Sequence, residues 1–150
     1  MLTLIDGRFV LERKDQSTHY KIPFSVPSGV KKLHITVAYD PKYNYDEEYG
    51  LALIKESMMK QAGEPLMLEG EMRARLPLDN HLSFSLDSPC GVVGTAHRGN
   101  NRQNFTISAD KADGGFYPFE IKSGDWTFII SVTCIITDNI TVSLKIEAEQ

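Results

Sequence analysis

The chain has 150 residues, of which 41% are hydrophobic, and it carries a formal net charge of -4. This length fits one domain, and a domain of this size buries roughly 70% of its unfolded surface, so its core needs no disulfide or metal for support. The acidic balance and the lack of a long basic run argue against nucleic-acid binding. The most apolar segment, residues 126–136, is too short to span a bilayer, and we expect no membrane attachment.

Hydrophobic and polar residues alternate through the first forty positions, which predicts β-strands. The Asp6-Gly7 pair interrupts the first run, and because glycine accepts the positive φ of a two-residue turn, we predict a hairpin there. The second run contains Pro23, which cannot donate to a ladder and therefore predicts an edge strand or a bulge. The third predicted strand covers residues 33–39.

The ambiguous part of the chain is the segment 43–75. Residues 50–55 have the composition of a short buried strand. Alternatively, apolar residues follow a helical spacing before Gly63, which is a helix-stop signal. These apolar residues are Leu51, Ile54, Met58 and Ala62. We predict a strand here that runs into an irregular or partly helical excursion.

Alternation returns in the second half of the chain. It predicts short strands over residues 82–86 and 105–107. The clearest pattern comes last, where runs over residues 126–136 and 142–148 flank a short turn, and we predict that they form a hairpin. Because both faces of the first of these two strands are partly apolar, we predict a central position for it.

About eight or nine strands separated by turn signals indicate a single all-β domain over residues 1–150. Each strand has one apolar face, which must be buried against a second such face. We therefore predict a sandwich of two antiparallel sheets with jelly-roll-like connections.

The segment from Gly91 to Arg102 is the first candidate for a ligand-binding site. It gathers glycines, a histidine and two arginines between two predicted strands, where binding groups are commonly placed. Arginine can hold a carboxylate or phosphate through two bonds, and glycines let backbone N–H groups approach an anion. The residues alone still favour an ordered structural loop whose arginines pair with local carboxylates. The candidate binding residues are Asn80, His81, His97, Arg98 and Arg102.

The acidic, tyrosine-rich stretch 40–49 is the second candidate. Its carboxylates suit calcium, but they lack the ligand spacing of an EF-hand loop. Its tyrosines would suit stacking on sugars or covering a sheet edge, and a solvated loop is the simplest interpretation. The carboxylates are Asp40, Asp46 and Glu48, and the tyrosines are Tyr43, Tyr45 and Tyr49. We predict no resident metal and no cofactor.

The histidines and cysteines form no recognised catalytic motif. There is no HxH, HExxH or paired CxxC pattern and no GxSxG elbow. A dyad of Cys90 with His81 or His97 ranks very low, because nothing near Cys90 predicts a helix N-terminus that would lower the thiol pKa. A disulfide between Cys90 and Cys134 has no supporting pattern, and we predict buried or semi-buried thiols in a cytoplasmic protein. A small enzyme that uses His97 and Arg98 ranks last.

Four segments carry a resemblance to a known family: Phe24–Val30, Tyr39–Pro41, Gly91–Gly99 and Gly124–Trp126. The first reads FSVPSGV and leads into a strand that ends in Tyr-Asp-Pro, and the last opens a G-x-W strand. Together they resemble the N-terminal β-sandwich region that precedes the catalytic domain in PHP-type metallohydrolases, which are metal-dependent phosphoesterases, including the CehA/McbA-like branch. The resemblance covers most of the chain except residues 57–76.

The resemblance implies an accessory β-sandwich. In the family the metal ligands belong to a downstream domain that none of these 150 residues resembles, so we expect no residue of this chain to have a catalytic role. We therefore expect a non-catalytic binding or interaction module that acts on a separately encoded hydrolase or by self-association. The alternative is a jelly-roll module that binds carbohydrate or calcium.

Overall fold

The computed structural model describes residues 1–150 and contains ten β-strands and two α-helices. The strands are β1 (Leu2–Glu12), β2 (Thr18–Val26), β3 (Lys32–Asp40), β4 (Tyr43–Asn44), β5 (Leu78–Asp79), β6 (His81–Ser88), β7 (Gly91–Ala96), β8 (Arg102–Ser108), β9 (Gly124–Cys134) and β10 (Asn139–Glu149). The helices are α1 (Glu47–Ala62) and α2 (Glu69–Arg73). Neither helix combines the length and apolar character needed to cross a bilayer.

Eight strands form two four-stranded antiparallel sheets. The first sheet has the order β1-β10-β3-β8, and the second has the order β2-β9-β6-β7. Four antiparallel pairs make one long folded-over hairpin. They are β1 with β10, β2 with β9, β3 with β8, and β6 with β7. Rolling this hairpin up adds the pairs β10–β3 and β9–β6, which complete the two sheets. This is jelly-roll pairing, and the predicted two-sheet sandwich is confirmed.

The core lies between the two sheets as one cluster of 28 buried residues. In β3 the odd-numbered residues 33–39 are at most 1% exposed, and in β9 the even-numbered residues 126–132 are at most 2% exposed. Burying each Val, Leu, Ile or Phe among these side chains stabilises the fold by roughly 1.5–3 kcal/mol. The predicted central position of β9 is confirmed, and β2, which contains Pro23, is the predicted edge strand.

The hairpin predicted at Asp6-Gly7 is wrong, because residues 2–12 form one continuous strand. The apolar residues change parity along this strand, and a turn is one way to explain such a change. The structure explains it by a bulge: the register shifts between Thr3 and Ile5, which leaves Leu4 as an extra residue.

The hairpin predicted from Trp126 to Ala148 is also wrong. β9 and β10 are consecutive in the chain, but they lie in different sheets. Residues 135–138 carry the chain from one sheet to the other, and Ile135 and Ile136 stay buried in this crossover. The local pattern predicts both strands, whereas their partners come from distant parts of the chain.

The strand predicted over residues 50–55 is wrong, and the alternative helical spacing describes the observed element. α1 follows Asp46, whose carboxylate accepts a hydrogen bond from the Tyr49 N–H at 3.0 Å. It ends at Gly63, whose φ of 72° suits glycine in the left-handed region. The helices form a separate small apolar cluster of Leu51, Met58 and Met72.

Candidate functional site

Four segments meet at one end of the sandwich, which we call the loop end. They are residues 40–43 after β3, 78–80 at β5, 97–102 between β7 and β8, and 134–137 after β9. Hydrogen bonds join these segments directly, including the bond from the Asn80 N–H to the Lys42 carbonyl at 2.8 Å. Most of the residues selected from the sequence as site candidates therefore lie in this region.

Asn80 is fully buried and connects three of these segments. Its Nδ2 donates to the Pro41 carbonyl at 2.9 Å and to Thr137 Oγ1 at 2.8 Å. Its Oδ1 accepts from the Ile136 N–H at 2.7 Å. A buried amide with its groups satisfied in this way stabilises the structure around it. Asn80, which was predicted to bind a ligand, therefore stabilises the backbone beneath the site and presents no free group to a ligand.

Lys42 lies next to Asn80 as a largely buried cation with a side chain 11% exposed. Its Nζ is 2.9 Å from Asp79 Oδ2, 2.9 Å from the Asn80 carbonyl and 3.2 Å from the Tyr39 hydroxyl. Burial by itself lowers the pKa of Lys42, but the bonds with Asp79 and Tyr39 raise it above the usual 10.5. Lys42 is therefore charged at neutral pH, with its charge balanced by Asp79.

An exposed ion pair forms the rim of the loop end. Arg102 Nη2 lies 3.2 Å from Asp40 Oδ2. Asn101 donates from Nδ2 to the Tyr39 carbonyl at 2.9 Å and to Asp40 Oδ1 at 3.4 Å. An exposed pair of this kind adds about 0–1 kcal/mol to stability. Its structural effect is to hold a guanidinium, a carboxylate and an amide side by side at the surface.

A polar cleft of about 330 Å³ opens beside this ion pair. It is lined by Lys42, Tyr43, Gly99, Asn100, Asn101 and Arg102. Tyr43 is 43% exposed, and the centre of its ring lies 5.8 Å from that of Tyr45. The cleft therefore joins the two candidate segments named from the sequence, since it draws on both the 91–102 segment and the tyrosine-rich stretch.

The first half of the 91–102 segment is a strand rather than a loop, because β7 covers residues 91–96. His97 Nδ1 lies 3.1 Å from Ser83 Oγ. Arg98 donates to the Gly114 carbonyl at 3.1 Å, and its guanidinium lies 5.5 Å from the centre of the Phe105 ring. Neither His97 nor Arg98 lines the cleft. Of the two arginines in the segment, only Arg102 does.

The two cysteines lie near opposite ends of β6, and His81 is at the same end as Cys134. His81 pairs with Cys134 at one end, and Cys90 follows the other end in an exposed turn. The strand between them spans roughly 20 Å, far beyond the separation that a disulfide bridges. Both thiols are free, and Cys134 is half-buried as predicted, whereas the predicted burial is wrong for Cys90, which is exposed. Burial, together with the charge of Asp79, raises the pKa of Cys134.

The acidic candidates for a calcium site do not converge. Asp40 faces Arg102, Asp46 caps α1, and Glu48 lies exposed in the first turn of that helix. The structure contains no group of three or more histidine, cysteine or acidic side chains placed to hold a metal ion. Tyr49 lies under the Arg13 guanidinium, 5.1 Å away, and does not line the cleft.

The outer face of the second sheet carries a row of serine–histidine contacts that no sequence pattern predicted. His19 Nδ1 lies 3.0 Å from Ser131 Oγ, and Ser131 pairs in register with Ser83, which contacts His97. No carboxylate is bonded to the second ring nitrogen of either histidine, so both pairs lack the orienting group of a catalytic triad. His19, Ser131 and Ser83 lie on three different strands, and His97 directly follows a fourth. No local sequence pattern therefore connects them.

Lys42 and the asparagines of the cleft were also missed. A single lysine beside Pro41 in an otherwise acidic stretch was the one available signal for Lys42. Asn100 and Asn101 lie in the 91–102 segment, where the arginines and glycines carry the stronger signal for a binding site. Amide side chains are weak signals of function in a sequence, because they carry no charge and belong to no metal-binding or nucleophile motif.

Comparison with known proteins places the chain in no family. No protein-family model matches it, and no curated protein shows a significant match to its sequence. The resemblance to the accessory region of PHP-type metallohydrolases stays a prediction. The jelly-roll arrangement rests on the strand pairing itself, and since one fold hosts many functions, function has to be argued from the loop end.

Proposed function

We propose that this protein is a non-catalytic binding module whose ligand site is the cleft at the loop end. The observation that carries the proposal is the convergence of an exposed tyrosine ring, two asparagine amides and an arginine–aspartate pair on one cleft. A ring face beside planar polar groups suits a ligand with an apolar ring surface and many hydroxyl groups, such as a sugar.

The local charge balance favours a neutral ligand over an anion. Arg102 is paired with Asp40, and Lys42 is paired with Asp79. The two cations are thus matched by two carboxylates, and an incoming phosphate would have to compete with both. A hydroxyl-rich neutral ligand can accept from the guanidinium and donate to the carboxylate without breaking either pair.

The cleft is also held in shape from below. Gln103 is 4% exposed, and its Nε2 donates to the Asn100 carbonyl at 2.6 Å and to the Arg98 carbonyl at 3.4 Å. These bonds fix the backbone of the loop, while the Asn100 side chain makes no hydrogen bond within the protein. A preformed loop loses less entropy when a ligand binds. Asn100 is therefore the amide best placed to contact the ligand.

Titration of the protein with a panel of neutral mono- and oligosaccharides, followed by ligand-observed NMR, tests the proposal. We expect binding that is weakened about tenfold or more by Tyr43→Ala and by Asn100→Ala, since each removes a direct contact. Tyr117→Ala is the matched control, because Tyr117 is 71% exposed but lies outside the cleft. No binding across the panel, or equal loss in all three variants, would refute a sugar site here.

We propose as a second candidate that the module docks on a separately encoded PHP-type hydrolase, as the family resemblance implies. The observation that favours it is a set of exposed apolar side chains around the α1–α2 connection: Met59, Leu66 and Leu68 are 52%, 65% and 74% exposed. Coexpression with a PHP-type hydrolase from the same genome, followed by size-exclusion chromatography, provides the test. We expect a complex that Leu66→Ser with Leu68→Ser abolishes; separate elution of the wild-type proteins would exclude it.

A further inference from the structure

β1 forms one edge of the first sheet, and the side facing away from β10 has no hydrogen-bonding partner. The strand pairs with β10 alone. The one further backbone hydrogen bond on the strand is donated by the N–H of Glu12, its last residue, to Asp15 Oδ2 at 2.8 Å. A row of free N–H and C=O groups is a template for another strand.

The other three edge strands are protected against such pairing. β2 contains Pro23, which removes a donor from the middle of the strand. β7 and β8 are covered by residues 109–119, because the Tyr117 N–H donates to Val93 at 3.0 Å and the Phe119 N–H donates to Ser108 at 2.9 Å. β1 contains neither proline nor lysine, and its single bulge lies near one end. It is the one edge left open.

The sequence of β1 is complementary to itself in the antiparallel direction. If two copies pair about a two-fold axis through Gly7, Asp6 of each copy lies opposite Arg8 of the other. Asp6 and Arg8 are both exposed and lie on the same outer face of the sheet. The pairing therefore creates two cross-strand contacts between opposite charges, each of the kind that stabilises an antiparallel ladder.

The neighbouring residues fit the same register. On the outer face Val10 is 57% exposed in the single chain and lies opposite the bulged residue Leu4, which packs against the core. On the inner face Ile5 lies opposite Phe9, and both are only partly buried in the single chain. Gly7 has no side chain, so the two backbones can approach closely at the axis. Each copy thus covers partly buried apolar surface of the other on the inner face, through Ile5 and Phe9.

The charges also exclude the nearest alternative registers. Side chains of the same face lie opposite one another only if the two-fold axis passes through a residue. The nearest alternative registers therefore place the axis at Asp6 or at Arg8. Centring on Asp6 places two aspartates directly opposite each other, and centring on Arg8 does the same with two arginines. Like charges directly opposite each other destabilise a ladder, so one register is selected.

We propose that the protein associates with a second copy of itself through β1, in the antiparallel register centred on Gly7. The two first sheets then form one continuous sheet of eight strands, and the contact is isologous, as in most symmetric dimers. This surface lies on a strand edge rather than at the loop end, and the proposal is independent of the ligand-binding function.

Charge reversal tests both the association and its register, with sedimentation velocity over a wide concentration range as the measurement. We expect a wild-type dimer, and we expect Asp6→Arg and Arg8→Asp each to weaken dimerisation about tenfold or more. An equimolar mixture of the two variants restores opposite pairs and should form a heterodimer. The variant that carries both substitutions should regain a homodimer for the same reason.

Lys55→Glu, a charge reversal on the exposed side of α1, is the matched control and should leave dimerisation unchanged. Circular dichroism melts establish that each variant is folded, because Asp6 also faces Lys145 of β10. A wild-type monomer at every concentration overturns the proposal. So does a dimer that survives both single reversals, or a mixture that fails to associate.

Discussion

Asn80 shows how one buried side chain can support a surface site. Replacing it with alanine leaves the Ile136 N–H and the Pro41 carbonyl without their side-chain partner. A buried polar group left unsatisfied costs about 1–3 kcal/mol, so we expect Asn80→Ala to lower the free energy of unfolding by about 2–4 kcal/mol. Urea denaturation measures the loss. The control is Asn104→Ala on the exposed face of β8, which should change stability by less than about 0.5 kcal/mol. Equal losses would contradict the proposed support role.

Glu149 makes a contribution to stability that depends on pH. Its Oε2 lies 3.0 Å from His34 Nε2 and 3.7 Å from Lys32 Nζ. The hydrogen bond from His34 and the charge of Lys32 lower the pKa of Glu149 below its usual 4.5. A carboxylate with a lowered folded-state pKa stabilises the fold above its unfolded pKa, and this stabilisation is lost as the pH falls through the folded value.

We therefore expect Glu149→Gln to destabilise the protein at neutral pH and to have little effect once the wild-type carboxylate is protonated, well below pH 4.5. Urea denaturation at the two pH values checks this. Glu64→Gln is the control, because Glu64 is exposed and forms no ion pair. A stability difference that stayed constant across the two pH values would show that the ion pairing of Glu149 has no role.

The candidate site was only partly predictable from single residues. Arg102 belongs to the cleft as a sequence-selected candidate, but its partner Asp40 lies 62 positions away, so the predicted pairing with local carboxylates is wrong for this residue. Asn80 was selected as a ligand-binding residue, yet the structure buries it, because the segments that cover it lie about forty to sixty positions away. Burial of this kind depends on tertiary packing, which no local pattern records.

At the scale of the helices and strands, α1 shows why composition alone misleads. Residues 50–55 are apolar enough for a buried strand, but Asp46 before them and Gly63 after them mark the ends of a helix. The caps were better guides here than the short apolar run.

The cap itself leads to a prediction. We expect Asp46→Ala to lower the free energy of unfolding by about 1 kcal/mol, because the Tyr49 N–H at the start of α1 loses its acceptor. Asp46→Asn keeps an oxygen in place and should retain most of the stability. Thermal and urea denaturation compare the two variants with the wild type. Equal loss in both would mean that the charge of Asp46, rather than its capping bond, provides the stabilisation.

Period-two alternation predicted the long strands but not their partners. In β1 the Asp6-Gly7 pair predicted a turn, although the strand continues through it and a bulge at Leu4 accounts for the change of parity. In β9 and β10 the short connection suggested a hairpin, although the same number of residues can cross from one sheet to the other. Pairing is a property of the whole roll, in which β10, the last strand, lies between β1 and β3, both of which come from the first forty residues.

At the scale of the whole molecule, the sandwich and the helical excursion are separate units. The 28-residue core lies between the sheets, whereas the helices share a cluster of three buried residues. The excursion leaves and returns at the β4–β5 ladder, where Asn44 pairs with Leu78. The two ends of the excursion are therefore adjacent, and the sandwich can be closed without it.

We accordingly expect that replacing residues 46–76 with a loop of about four residues preserves the jelly roll. Far-UV circular dichroism should lose its helical component, while urea unfolding stays cooperative. Cys134 supplies an internal readout, since it lines the space beside α1 and burial raises its pKa. Its alkylation by iodoacetamide should become faster in the shortened chain, whereas the exposed Cys90, beyond the other end of β6, should react at its original rate. Loss of the cooperative transition would show instead that the helices belong to the same folding unit as the sheets.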